Sequence, residues 1–372
     1  MIDSIPNSPE TPSDLIRRDQ EPVQILLAAI PAKWHLLVRL FLLAFALSAT
    51  ALLIGAIPAR LDQLRTICTE AVCPALLLVP ADFELLQQWR LSATTYAIYH
   101  AAIELILIVP VVIVWGLVFW RYAHYWIGLL TCLGLVFLGV GLGNILWAWT
   151  QASELIAFFG DIIGEIGATA LILLLFLFPD GRIVPKWTRY PIYLLLFGIF
   201  PFGLINLIVS PGLDNNLPDA LNGLFFFSYL LLGTAVQIIR YRRYANQHQR
   251  QQTKWVIGGI ASLMFSVLLW FLLMEIFPLP AGQPRLIGNM VGMVLLLSLS
   301  AAFPTSLGIA ILRYRLWDID VIINRTLVYG GLTAMIIAVY SLVVGGLGTL
   351  FQSENNFLIS LIATALLAIL FN

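Results

Sequence analysis

Long apolar runs recur along the whole chain and are separated by short polar breaks. A run of about twenty apolar residues is long enough for a helix to cross the ~30 Å hydrocarbon core of a bilayer. The breaks are rich in Gly, Pro or charged residues, as expected where helices end at a membrane surface. We therefore predict an all-α, polytopic bundle of about ten membrane-spanning helices. The predicted spans are residues 38–58, 97–119, 126–147, 155–178, 190–210, 221–239, 255–277, 287–312, 327–350 and 357–371.

Composition supports the membrane class. Hydrophobic residues make up 60% of the 372 residues and charged residues only 11%, which leaves too little polar surface for a soluble protein of this length. The formal net charge is zero, and the charges are divided among the breaks rather than gathered into one basic patch. A nucleic-acid partner is therefore not expected, whereas contact with membrane lipid is.

The basic residues predict the orientation. Sixteen of the 20 lysines and arginines fall in one set of alternate breaks, and the other set holds only Arg60, Arg65, Arg90 and Arg285. The positive-inside rule then places both termini in the cytoplasm. We expect residues 1–35 to form a disordered cytoplasmic tail, residues 36–372 to form the transmembrane domain, and residues 60–95 to form an external loop.

Enzyme motifs are missing from the sequence. It contains no HExxH, no GxSxG and no phosphate-binding loop, and the glycine-rich string GVGLGN at 139–144 lies inside a predicted span. Small residues at this spacing favour close helix packing instead. We therefore expect no catalytic residue, no cofactor and no metal site.

Ionisable residues inside spans are the best candidates for function, because each is costly in lipid. Asp161 and Glu165 are four residues apart and project from one helix face, and His100 and Glu104 repeat that spacing. The four side chains are expected in the outer half of the membrane, where they could line one pocket open to the outside. Such a pocket would bind a ligand or sense protons, and with one histidine a metal is less favoured. Alternatively each acid pairs with a polar group such as Asn144 and only fixes helix packing.

Two cysteines lie in the predicted external loop. Cys68 and Cys73 are five residues apart, and an oxidising exterior allows them to form a disulfide. A straight helix would separate their Cα atoms by roughly 7.5 Å, so a bridge requires a turn between them. The alternative is two unlinked thiols.

The strip at residues 313–326 is the most mixed part of the chain. Leu316, Ile319 and Ile323 follow a near-helical spacing, which predicts an amphipathic helix at the membrane surface. Its acidic residues face a predicted surface rich in arginine. We interpret the strip as a coupling helix rather than a passive tether. The residues assigned to coupling are Arg315, Trp317, Asp318, Asp320, Asn324 and Arg325.

Three strings are distinctive: FLFPDGRIVPKW, QRQQTKWVIGG and RYRLWDIDVIINRTLVYG. Together they resemble the N-terminal membrane region of bacterial sensor histidine kinases of the Chloroflexi and cyanobacteria, which are similar to the ComP kinases. The cysteine pair followed by TTYAIYHAAIELI looks like that group as well. The resemblance covers most of the chain from about residue 60 onward.

The resemblance implies a signal-input module in the inner (plasma) membrane of a bacterium. Such a module would shift between two bundle arrangements in response to an external or membrane ligand, and would act on a cytoplasmic kinase or response-regulator system. The resemblance also implies a homodimer. Kinases of this group continue into phospho-acceptor and ATP-binding domains. No such domain is recognisable here, and none of His35, His100, His124 or His248 lies in a suitable cytoplasmic hairpin, so this chain is not expected to be an enzyme. A transporter that uses the intramembrane acids to relay protons or cations is the alternative, although we find no inverted repeat.

Overall fold

The computed structural model describes residues 29–69, 73, 76–141, 145, 148, 154–178, 181–209, 216–244, 247–270, 272 and 279–313. Predictions for residues 1–28, for Asn144 and for every position from 314 onward lie outside the described residues. These include the last two predicted spans and all six residues assigned to coupling.

The described residues form helices that we number in chain order. They are α1 (His35–Arg65), α2 (Pro80–Gln88), α3 (Ala93–Tyr122), α4 (Trp126–Gly141), α5 (Glu154–Leu177), α6 (Arg189–Leu194), α7 (Phe200–Val209), α8 (Asn216–Arg243), α9 (Gln247–Trp270) and α10 (Gln283–Arg313). A π-helical turn, Leu195–Ile199, joins α6 to α7. No β-strand occurs among these residues.

Seven segments of the described chain are long and apolar enough to cross a membrane. They are Ala32–Arg65, Ala93–Tyr122, Leu155–Leu177, Lys186–Ile205, Leu224–Arg243, Thr253–Trp270 and Gln283–Ile311. A further apolar helix, Trp126–Gly141, is shorter. Each of the eight spans predicted between residues 38 and 312 corresponds to one of these helices. The all-α class and the multi-pass character are thus confirmed.

Much of the segment at 60–95, which was predicted to form an external loop, is helical. Helix α1 continues past the apolar run to Arg65, with Pro58 inside it, and α2 begins at Pro80. Helix α3 begins at Ala93 because the Ser92 hydroxyl caps it, accepting the Thr95 N–H at 3.1 Å. The helices leave residues 66–79 and 89–92 as the connections in this segment.

Residues 29–35, which were predicted to belong to the disordered tail, make defined contacts with the bundle. The side chain of Ile30 is buried, and its N–H donates to the His124 carbonyl at 2.8 Å in the turn between α3 and α4. The His35 ring contacts the Ile30 carbonyl at 2.6 Å and lies 5.9 Å from the His124 ring. Residues 29–35 are thus fastened to the end of the bundle, whereas residues 1–28 lie outside the description.

The two largest apolar cores of the described residues lie toward opposite ends of the bundle. The larger core joins α1, α3, α4, α5, α9 and α10, together with Leu230 of α8. The smaller core packs α2 against the first turns of α3 and α10 through residues such as Leu86, Tyr96 and Leu286. Most lysines and arginines of the described helices lie at the end away from α2. The bundle therefore has one basic end and one end that is covered by α2, and we call α2 the cap.

Helices α9 and α10 form the most extensive helix pair. Ser262 and Ser266 of α9 donate to the carbonyl oxygens of Leu299 and Leu296 at 2.8 and 2.7 Å. One turn before Ser262, Gly259 leaves no room for a side chain against Phe303 and Ser306 of α10. Small residues and serine hydroxyls are the usual means by which helices approach closely in lipid.

Helix α8 satisfies the last carbonyl groups of α5. Gln237 is fully buried, and its amide nitrogen donates to the carbonyl oxygens of Leu175 and Phe178, the latter at 3.0 Å. The Arg240 guanidinium donates to the Phe176 carbonyl at 2.9 Å. The last four carbonyl groups of a helix have no partner within it, so these side chains fix α8 to the end of α5.

The adjacent glycines of α9 give a matched test of the α9–α10 contact. Replacing either glycine by alanine raises helix propensity by about 1 kcal/mol. A Cβ at Gly258 meets nothing within 4 Å, but at Gly259 it overlaps Ser306 Oγ and comes within 2.9 Å of Phe303 Cα. We expect Gly258→Ala to retain or raise the thermal stability of the detergent-solubilised protein, and Gly259→Ala to lower the free energy of unfolding by about 1–3 kcal/mol. Equal stability of the two variants would contradict the contact.

The N-terminal attachment should weaken in acid. Burial, and then the nearby His35 and Arg39, lower the pKa of the His124 imidazole below its ordinary value of 6.5. The detached state, whose pKa is not lowered, binds a proton more readily, so the attachment is complete above pH 6.5 and is lost as the pH falls below it. We expect the hydrogen-exchange protection factor of the Ile30 amide to fall between pH 7.5 and pH 5.5. In His124→Gln that protection should no longer depend on pH, and an unchanged pH dependence in this variant would count against the mechanism.

Candidate functional site

A buried ion pair joins the first two long helices near the capped end. Arg60 Nη2 of α1 lies 2.7 Å from Glu104 Oε1 of α3, and the two side chains are 3% and 0% exposed. Arg60 Nη1 also donates to the Gln63 side chain at 2.8 Å. Removing two charges from water is costly, and the cost is offset only when each charge meets the other in good geometry. The pair therefore fixes α1 against α3.

His100 lies one turn from Glu104 on the same face of α3 and is completely buried. Its ring packs against the Tyr96 ring at 4.4 Å and the Tyr99 ring at 5.4 Å. Among the described residues neither ring nitrogen has a hydrogen-bond partner. Buried polar groups are nearly always paired, so His100 is the most unusual polar side chain in this part of the protein.

Both tyrosines that hold His100 are anchored to other elements. The Tyr96 hydroxyl donates to the Leu76 carbonyl at 3.0 Å, in the segment that leads to α2. The Tyr99 hydroxyl donates to the Met290 carbonyl of α10 at 3.2 Å. The two tyrosines therefore connect the surroundings of His100 to the segment before α2 and to α10.

The cap is tied to α10 by a second charged pair. Asp82 of α2 is 1% exposed, accepts the Gly282 N–H at 2.9 Å, and lies 3.8 Å from Arg285 Nε of α10. Gly282 has a φ of +101°, which residues other than glycine rarely adopt. Neither Asp82 nor Arg285 was predicted to be part of a site, because both lie outside the predicted spans. The sequence contained one signal of this role: Asp82 is the third residue of a helix that begins with proline.

A disulfide closes the connection between α1 and α2. Cys68 and Cys73 are bonded, with their Cα atoms 6.0 Å apart, as the turn required. The Cys68 N–H donates to the Leu78 carbonyl at 2.8 Å, and Ile67 and Leu78 form an isolated β-bridge. The third cysteine, Cys132, is buried in α4. The disulfide and the bridge together constrain the connection that leads from α1 to α2.

The second pair of acids has different surroundings. On α5, Asp161 is exposed and Glu165 is half-buried. Glu165 faces α7, where a Cβ built on Gly203 would lie 2.7 Å from Glu165 Oε1. His100 and Glu104 are fully buried, so they do not line a pocket open to the outside together with Asp161 and Glu165. The structure replaces the single predicted pocket with a buried cluster on α3 and a separate acidic position on α5.

The buried cluster can do two kinds of chemistry. The histidine has two ring nitrogens available for a proton or for a hydrogen-bonding ligand. The residues described hold no group of three or more His, Cys, Asp and Glu side chains placed to bind a metal ion. Proton or hydrogen-bond sensing is therefore the chemistry that this arrangement supports.

The ion pair can be tested by a double-mutant cycle. Removing one partner leaves the other charge buried and alone, so Arg60→Met and Glu104→Met should each lower the free energy of unfolding by about 3–5 kcal/mol. The double variant replaces the pair by apolar side chains of similar length and should be close to the parent. Chemical unfolding in detergent micelles measures all four proteins. Single variants as stable as the parent would show that the two charges do not pair.

Comparison with protein-family models, with curated proteins and with solved structures finds no match to this chain.

Proposed function

We propose that the chain is the membrane-embedded signal-input module of a two-component sensor histidine kinase in the inner membrane of a bacterium. The observation that carries the proposal is the fully buried His100, which has no hydrogen-bond partner among the described residues and lies beside the Arg60–Glu104 pair. Buried ionisable groups in membrane helices usually mark functional sites. The resemblance of three long strings to such kinases supports the same class.

Helix α10 is the connection between this cluster and the basic end. It is a single helix of 31 residues, about 46 Å long, which begins beside the cap and ends at Arg313. Its outer part contacts Asp82 through Arg285 and Tyr99 through Met290. A rearrangement at His100 would thus be carried along α10 to the strip at 313–326, which we propose as the coupling helix.

The proposed mechanism is a shift between two bundle arrangements. In one, Arg60 pairs with Glu104 and His100 is enclosed by its tyrosines. In the other, a ligand or proton at His100 opens the contacts of Tyr96 and Tyr99 and allows α10 to move. A difference of about 1–3 kcal/mol in binding free energy between the two states changes their ratio by 5- to 150-fold, enough for a signal. The basic end would face the cytoplasm, and the output partner would be a kinase or response-regulator system.

A fusion experiment tests the proposal. The whole chain is joined to the catalytic part of a related histidine kinase, and phosphorylation of the response regulator is followed in cells. We expect His100→Phe, which keeps an aromatic ring but removes both nitrogens, and Glu104→Gln to shift the output by at least fivefold in either direction. Asp62→Asn is the control, because Asp62 is an exposed outer carboxylate of α1 that pairs only with exposed Arg65 among the described residues.

Unchanged output in both variants, with normal membrane insertion, would exclude the cluster as the sensing element. The control variant should behave as the parent. If Asp62→Asn alters the output as strongly as Glu104→Gln, the response reflects outer charge in general and not the buried pair.

The position of Glu165 favours a second candidate, proton or cation transport. Glu165 is half-buried against Gly203 of α7. Gly203 lies one helix turn beyond the π-helical turn Leu195–Ile199. Such turns occur frequently at functional sites, and Pro201 explains this one because it has no N–H to donate to the Phe197 carbonyl. A pH-sensitive dye inside proteoliposomes distinguishes the candidates: a transporter acidifies the lumen under an imposed gradient, and Glu165→Gln abolishes the effect.

A further inference from the structure

A groove at the basic end of the bundle has features that neither the sensing cluster nor the acids of α5 use. It has a volume of about 440 Å³ and is lined by Pro185, Trp187, Ile238, Ile239, Arg242, Arg243 and Tyr244. Its walls are the turn that precedes α6 and the last turn of α8. Ligand sites in proteins commonly have volumes of about 300–1,000 Å³, so the groove is large enough for a small polar group.

We propose that this groove binds the phosphate headgroup of an anionic phospholipid. Arg242 and Arg243 are exposed, and among the described residues their guanidinium groups have neither an ion-pair partner nor a hydrogen-bond partner. Two neighbouring guanidinium groups match the oxygens of a phosphate, which arginine binds through two parallel hydrogen bonds. The charge of the groove therefore calls for an anion.

The other walls of the groove indicate a lipid rather than a soluble anion. Ile238, Ile239 and Pro185 form an apolar side, and Trp187 and Tyr244 are exposed aromatic residues. Tryptophan and tyrosine collect at the headgroup level of membranes, where one end of the ring is apolar and the other is polar. A free phosphate ion has no apolar part to meet such a wall, whereas a glycerophospholipid has one.

The groove is also held in shape from behind. Buried Arg240 donates to the Phe176 and Arg182 carbonyl groups, which fixes the end of α8 beside the chain that leaves α5. The Tyr229 hydroxyl donates to the Pro191 carbonyl at 3.0 Å and fixes α6 against α8. A preformed site loses less entropy on binding than one that must be ordered.

The position of the groove along the bundle is consistent with the surface of a bilayer. Both walls belong to segments long and apolar enough to cross a membrane, Lys186–Ile205 and Leu224–Arg243, and the groove lies at the basic end of each. Among the described residues, most of the first segment is not buried inside the bundle and is open to a neighbouring lipid. A lipid beside this segment would thus reach the groove with its headgroup.

Lipid titration of the purified, delipidated full chain tests the proposal. The probes are phosphatidylglycerol, phosphatidylcholine and inorganic phosphate, and native mass spectrometry measures the bound fraction. We expect phosphatidylglycerol to bind more tightly than the other two. The double variant Arg242→Gln/Arg243→Gln should weaken that binding by about 10- to 30-fold. Arg242→Lys/Arg243→Lys retains the charge without the paired hydrogen bonds and should give an intermediate loss.

The control variant is Arg39→Gln/Lys254→Gln, which removes two exposed basic residues from the same end of the bundle but outside the groove. It should bind phosphatidylglycerol as the parent does. Equal weakening in the control would reduce the effect to general surface charge and overturn the site. Equal binding of inorganic phosphate would mean a soluble-anion site, and the absence of any preference for phosphatidylglycerol would overturn the proposal as a whole. All variants are first compared by thermal unfolding, and because both groove arginines are exposed, we expect their stability to be unchanged.

Discussion

Polar groups inside a bilayer find no water, so most of them must be satisfied by the protein itself, and this constraint favours particular pairs of helices. Arg60 and Glu104 satisfy each other between α1 and α3. The hydroxyls of Ser262 and Ser266 are satisfied by backbone carbonyls of α10. Gln237 satisfies carbonyl groups at the end of α5. In each case the polar partner lies on a different helix. The contact that satisfies the polar group therefore also holds two helices together.

The apolar pattern predicted the helices because length and hydropathy depend on local sequence. The eight predicted spans that fall in the described chain each correspond to an apolar helix. The disulfide could be anticipated as well, since it depends on two thiols that are close together in the sequence. What these features share is that their physical cause lies within a few dozen residues.

The buried charges could not be predicted in the same way. Arg60 was assigned to a loop because an arginine ends an apolar run, yet its partner Glu104 lies 44 residues away and only the packed bundle brings them together. Asp82 and Gly282 are 200 residues apart in the sequence, so no local sequence pattern predicts their contact. His100 and Glu104 were identified from the free-energy cost of placing ionisable groups in lipid. Their contacts with the tyrosines and with Arg60 arise only in the tertiary structure.

The ion pair also bears on the order in which the helices enter the membrane. Arg60 lies five residues before the end of α1, about 7.5 Å from it, so its long side chain can reach the headgroup region while α1 is in the bilayer by itself. Glu104 lies eleven residues into α3, about 16 Å from its start, where a short carboxylate side chain has no such escape. The Arg60 side chain can therefore remain solvated in the headgroup region before its partner helix is inserted, whereas the Glu104 side chain cannot. Because the chain presents the arginine helix first, the glutamate helix enters a bilayer in which its counter-ion is already available, and assembly in the order of synthesis avoids an isolated buried charge.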